Sequence, residues 1–116
     1  MTVAILGAGV MGEALLSGLV RAGWRAEDLL VTERRPERGK ELVERYGVDY
    51  VANPVAAERA DTLLVVVKPQ DMDALMTEIA PHVRRGQLVV SLAAGITTGY
   101  IESRLPEGVA VVRVMP

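Results

Sequence analysis

No cysteine occurs anywhere in the 116 residues, so neither a disulfide nor a thiolate zinc site can brace this chain. The one histidine, His82 beside Pro81, has no serine, cysteine or acid at a spacing that suggests a nucleophile–base pair. It reads as an exposed or capping side chain. Closely paired carboxylates and metal-type clusters are missing as well. Chemistry here would therefore belong to a bound cofactor and not to these side chains. The longest clean apolar run, Leu63–Val67, is far too short to span a bilayer. No basic leader precedes the apolar residues that follow Met1 and Thr2. Neither sign of charge dominates: 13 Lys and Arg against 15 Asp and Glu leave a net charge of −2. That balance disfavours a nucleic-acid or anionic-membrane surface. Together these absences read as a cytoplasmic protein with no nucleic-acid or membrane partner.

Half of the residues are apolar, enough for one compact domain with a real core. Strand and helix signals alternate along it. Val3–Leu6 predicts a short buried strand. Val10–Ala22 carries Leu15, Leu16, Leu19 and Val20 on one helical face, with Gly23 as its stop. A second strand spans Leu29–Glu33. Pro36 then opens a helix that runs to Gly47, in which Glu41 and Arg45 stand at pairing distance. Val48–Val51 is a third strand, and Asn53–Pro54 has the form of an N-cap and first-turn pair for a helix to Arg59. Thr62–Val67 lacks alternation, which suits a central strand covered on both faces. A helix over about 71–80 stops at Pro81. Leu88–Leu92, a helix over Thr98–Arg104, and Val109–Val114 complete the series. Strand–helix alternation with short connections predicts an α/β, doubly wound (Rossmann) parallel sheet of six strands in the order 3-2-1-4-5-6, a single domain filling residues 1–116.

In that fold the stretch Gly7-Ala8-Gly9-Val10-Met11-Gly12 lies between the first strand, ending at Leu6, and the first helix. This is the context that lifts G-x-G-x-x-G above a chance match. Gly7 would permit the tight turn, Gly9 the approach of a pyrophosphate, and Gly12 the packing of helix on sheet. Helix-start amides would then face the phosphates. A plain strand-to-helix turn without ligand would also use these glycines. Glu33 lies 21 residues past Gly12, near the spacing of about 20 expected for the acid that binds a ribose. Such a carboxylate favours NAD. Arg34 and Arg35, with Arg38 one turn on, are natural partners of the 2′-phosphate of NADP. A solvated helix start explains the arginines equally well.

The fourth strand ends in Val66-Val67-Lys68-Pro69-Gln70, beside the switch point where such sheets bind ligands. Lys68 could donate to a ribose hydroxyl or phosphate there, or simply face solvent, and Pro69 would fix the loop. Ser91-Leu92-Ala93-Ala94-Gly95-Ile96 ends the fifth strand. Its small residues leave room for a flat nicotinamide ring, though an ordinary turn has the same composition. Asn53 follows the third strand and could touch the adenosine side as well as cap its helix. Met11 and Met72 could line the crevice or fill the core. Trp24 reads as packing.

Four blocks in this order, GAGVMGEAL at 7–15, VVVKPQDM at 65–72, SLAAGI at 91–96 and VRVMP at 112–116, resemble pyrroline-5-carboxylate reductase over the whole chain. That resemblance implies hydride transfer from NAD(P)H to the C=N bond of 1-pyrroline-5-carboxylate, giving proline. It implies cofactor contacts at Leu6–Met11, at Glu33, Arg34 and Asn53, at Val67, Lys68 and Pro69, and at Ala93, Ala94 and Gly95. Many members carry serine, asparagine or threonine where Glu33 stands, so the choice between NADP and NAD stays open. Members also continue past the Met-Pro block into a helical second domain that supplies most of the imine site and makes the dimer. The expectation is a cofactor-binding piece that is inactive alone, with a homo-oligomer for the longer protein. Two alternatives remain. β-Hydroxyacid dehydrogenases carry a similar loop, usually opening Gly-Leu-Gly, and a non-catalytic NAD(P)-sensing module would need nothing more than this domain.

Overall fold

Six strands lie parallel in the order β3-β2-β1-β4-β5-β6 in the computed structural model, which describes residues 1–114. Met115 and Pro116, the end of the VRVMP block, lie outside the described residues. The strands are β1 (Val3–Leu6), β2 (Leu29–Thr32), β3 (Asp49–Tyr50), β4 (Thr62–Val65), β5 (Leu88–Ser91) and β6 (Ala110–Arg113). The helices are α1 (Val10–Arg21), α2 (Pro36–Tyr46), α3 (Asn53–Arg59), α4 (Met72–Ile79) and α5 (Thr98–Arg104). Register puts Leu6 level with Thr32 on one side and Val65 on the other. The loops after β1, β2 and β4 therefore leave the sheet at the same height and share one crest.

The sheet is buried between two apolar clusters. Val3, Ile5, Leu29 and Val31 turn to one face, where Leu16 of α1 and Leu42 of α2 cover them. Ala4, Leu6, Leu30, Leu63 and Val65 turn to the other, against α3, α4 and α5. Burial on both faces is why β1, β2 and β4 read as unbroken apolar runs. Each fully buried leucine or isoleucine contributes about 1.5–3 kcal/mol against the chain's entropy. Trp24 packs on the α1 side, as its position predicts, and Met72 is buried in the opposite cluster.

The expected order and element sequence hold, while several edges shift. Glu33 lies just past β2, Val66 and Val67 past β4, and β3 shrinks to two residues. Asn53 is not the cap of α3. Ala52 holds that position, no side chain bonds the helix start, and Asn53 is the first helical residue. Glu41 and Arg45 do not pair either. Glu41 accepts from Arg38 at 3.3 Å, and Arg45 turns to Glu13 on α1. A long-range carboxylate on the neighbouring helix outcompetes the partner one turn away. Tertiary packing likewise gives His82 an acid the spacing does not show: its Nδ1 lies 2.7 Å from Glu58.

Candidate functional site

The glycine loop is clamped from both neighbouring strands. Thr32, the buried end of β2, accepts the Gly7 N–H on its side-chain oxygen at 3.3 Å and the Ala8 N–H on its carbonyl at 3.0 Å. The Gly9 N–H turns back to the Gly7 carbonyl at 2.9 Å. From the other side, Val67 crowds Gly7 so closely that a Cβ there would lie 2.7 Å from Val67 Cγ1. Gly7 also sits at φ +87°, a conformation that favours glycine. Gly12 carries α1 onto the sheet, since a Cβ would come within 3.0 Å of the Gly7 carbonyl oxygen. These are the roles the motif predicts for its first and third glycines.

Gly9 differs. Its φ of −74° suits any residue, and a Cβ built on it meets nothing within 4 Å. Nothing inside the protein asks for glycine there. It is also the cap of α1, and no side chain bonds the helix start. The first amides, Val10, Met11 and Gly12, have no intrahelical acceptors by helix geometry. The bare position and the open amides adjoin. Val10 is 89% exposed and Met11 is exposed beside it.

At the end of β2 the Glu33 side chain folds back on its own loop. It accepts the Arg35 N–H at 3.3 Å and lies 3.9 Å from Arg35 Nε. The Glu33 carbonyl in turn accepts from the Tyr50 hydroxyl at 2.8 Å. The Tyr50 ring lies on Gly39, where a Cβ would meet it at 2.6 Å. Tyr50 thus ties β3, α2 and the Glu33 turn together. Arg34 is exposed and reaches Asp71 Oδ2 at 3.4 Å. Arg38 does not join this end as a free cation: it donates to Glu13 at 2.6 Å and to Glu41.

Lys68 and Pro69 are exposed past β4, Lys68 preceding a short 3-10 turn over Pro69–Asp71. Past β5, Ala93 is buried while Ala94 and Gly95 form an exposed turn, with Gly95 at φ +75°. Ser91 is fully buried, and its Oγ accepts the Ala93 N–H at 3.3 Å, which anchors that turn. Asn53 donates through Nδ2 to Glu78 at 2.7 Å, and its buried Oδ1 has no partner among the described residues. The crest of the sheet thus gathers the loops after β1, β2, β4 and β5. Thr32, Tyr50, Asp71 and Ser91 were not legible as site-forming residues. The one local signal was a hydroxyl residue closing an otherwise apolar buried strand, at Thr32 and Ser91.

Beside the crest, a groove of about 650 Å³ runs between α1 and α2 and meets it only at Gly9, Val10 and Arg35. Glu13 lies in this groove. Hydrogen bonds from the Tyr46 hydroxyl, Arg38 and Arg45 hold its carboxyl at about 2, against an ordinary 4.5. Among the described residues no group of three or more His, Asp or Glu could hold a metal ion, and no helix is long and apolar enough to cross a membrane.

The family model described as NADP oxidoreductase, coenzyme F420-dependent, matches residues 2–95, the span that carries every loop of the crest. The chain belongs to that family. The chain is 43% identical over 119 residues to the pyrroline-5-carboxylate reductase of Mycobacterium leprae, across 98% of this chain and 40% of the relative. A solved pyrroline-5-carboxylate reductase from Coxiella burnetii superposes with a TM-score of 0.93 at 30% identity, covering 99% of this chain and 43% of that one. The Plasmodium falciparum pyrroline carboxylate reductase, solved with NADP bound, superposes at 0.84 with 24% identity, covering 100% and 42%, and shares the fold. The chain spans about two fifths of the length of these relatives.

Proposed function

We propose that this chain is the dinucleotide-binding part of a pyrroline-5-carboxylate reductase. Bound NADPH or NADH would supply the hydride that reduces the C=N bond of 1-pyrroline-5-carboxylate to proline. The observation that carries the binding reading is Gly9, a glycine without steric need inside the protein, set at the uncapped start of α1. A pyrophosphate seated there would accept from the Val10, Met11 and Gly12 amides and be favoured by the helix dipole. The sequence likeness to reductases of that name supports the choice of substrate.

The remaining residues divide by position along the crest. Leu6, Gly7 and Ala8 shape the loop below the phosphates. Glu33, Arg34 and Arg35 face the adenosine ribose, and Asn53, at the start of α3 with its Nδ2 held by Glu78, stands on the same side. Val67, Lys68 and Pro69 flank the diphosphate from β4. Ala93, Ala94 and Gly95 border the nicotinamide, where small side chains leave room for the ring. Near-attack alignment of an imine needs a second wall, which a helical domain beyond this chain would provide together with a homo-oligomer interface; the proposed setting of the longer protein is the cytoplasm. Discrimination between the cofactors is weak with a lean to NADP(H), because Glu33 and the arginines oppose each other. Titration of NADPH and NADH against wild type and Glu33→Ser tests the reading. The variant gains NADPH affinity if Glu33 faces the ribose, and absence of binding at millimolar dinucleotide would falsify the cofactor assignment.

A further inference from the structure

Both arginines at the adenosine end already face carboxylates. Arg35 lies against Glu33, its neighbour in sequence. The Arg34 partner comes from elsewhere: Asp71, which ends the turn after β4, lies 3.4 Å away. β1 sits between β2 and β4 in the sheet, so this contact passes above the carboxyl end of β1, where the glycine loop leaves. The Asp71 backbone is held, its N–H donating to the Lys68 carbonyl at 2.9 Å. Its side chain is 31% exposed, against 82% for Arg34. The exposed guanidinium therefore meets a carboxylate on a turn held by its own backbone hydrogen bond. The four formal charges at this end cancel, although the sequence around β2 alone shows two arginines against one glutamate.

We propose that Asp71 is a positioning residue that sets cofactor specificity through Arg34. This rests on the dinucleotide reading above. A 2′-phosphate approaching Arg34 must compete with the Asp71 carboxylate for the same guanidinium and is repelled by its charge. A dinucleotide with a free 2′-hydroxyl meets neither penalty. Asp71 thus narrows the preference for NADP(H) that Arg34 would otherwise create.

The test is the ratio of NADPH to NADH dissociation constants in the intact protein. Asp71→Asn is expected to tighten NADPH by about two- to fivefold, the range an exposed ion pair supports, and to leave NADH unchanged. Asp71→Glu should restore the wild-type ratio, which a purely structural role for the turn would not require. In an Arg34→Ala background the Asp71→Asn gain should shrink, because the competition for the guanidinium is gone and only direct repulsion remains; a gain of full size there would show that Asp71 does not act through Arg34. An unchanged ratio, or equal shifts for both cofactors, overturns the proposal alone. Failure of the wild type to bind either dinucleotide overturns the cofactor reading and this proposal with it.

Discussion

Gly7 and Gly9 stand two positions apart and lack side chains for different reasons. Gly7 is required by the fold itself, through its positive φ and the closeness of Val67. Gly7→Ala should cost roughly 2–4 kcal/mol, since strain and overpacking act together. Gly9 has no steric need of glycine, so Gly9→Ala should cost no more than about 1 kcal/mol, the preference of a helix cap for glycine over alanine. It should nonetheless weaken dinucleotide binding about tenfold, as a methyl takes the place of the phosphate's closest approach. Chemical denaturation and cofactor titration of both variants check the contrast. Equal losses of stability would show that the fold itself needs glycine at both positions.

At the scale of elements, two side chains join parts that the sequence keeps far apart. Glu13 on α1 binds Arg38, Arg45 and Tyr46 of α2 and so fastens the two helices of one face. The folded protein keeps this carboxyl ionised to about pH 2, whereas an unfolded one titrates near 4.5. On acidification the unfolded chain takes up the proton first. The stabilisation is complete above the unfolded value and is lost as pH falls from there toward 2. Glu13→Gln should flatten that acid limb in denaturation curves recorded between pH 2 and 6. Gln87 is the second tie. Buried before β5, it donates to the Ala57 and Ala60 carbonyls at 2.7 and 2.6 Å and accepts from the Arg84 N–H. Gln87→Leu orphans all three groups and should cost about 2–3 kcal/mol, lowering the melting temperature by on the order of 10 °C. Gln87 lies at the opposite edge of the sheet from the crest, so cofactor affinity measured well below the transition should stay unchanged.

For the molecule as a whole, the proposed reading makes the crest one wall of the site, and hydride transfer needs two reactants held face to face. The isolated chain is therefore expected to bind NADPH with little or no proline formation from 1-pyrroline-5-carboxylate. Fluorescence titration paired with a proline assay, on protein free of longer species, measures both. Proline produced at a rate above the uncatalysed background would show that this wall suffices.

How much was legible depends on the range of the interactions involved. Buried strands, glycine placement and the β2 acid are local signals, written in runs of a few residues, and they determined the sheet order and the loops that form the crest. Short range also explains the slips at strand ends and at Asn53, where one residue decides between cap and first turn. Asp71, Tyr50, Thr32 and the Glu13 cluster could not be read that way. Their partners lie 17 to 37 residues distant, and nothing in the spacing singles out one carboxylate or hydroxyl among many. The sequence by itself determined that a strand–glycine–helix turn would present open amides. Only the tertiary structure decided which charges surround them, because parallel crossovers bring the ends of β1, β2 and β4 to a single level, where distant side chains compete for each other.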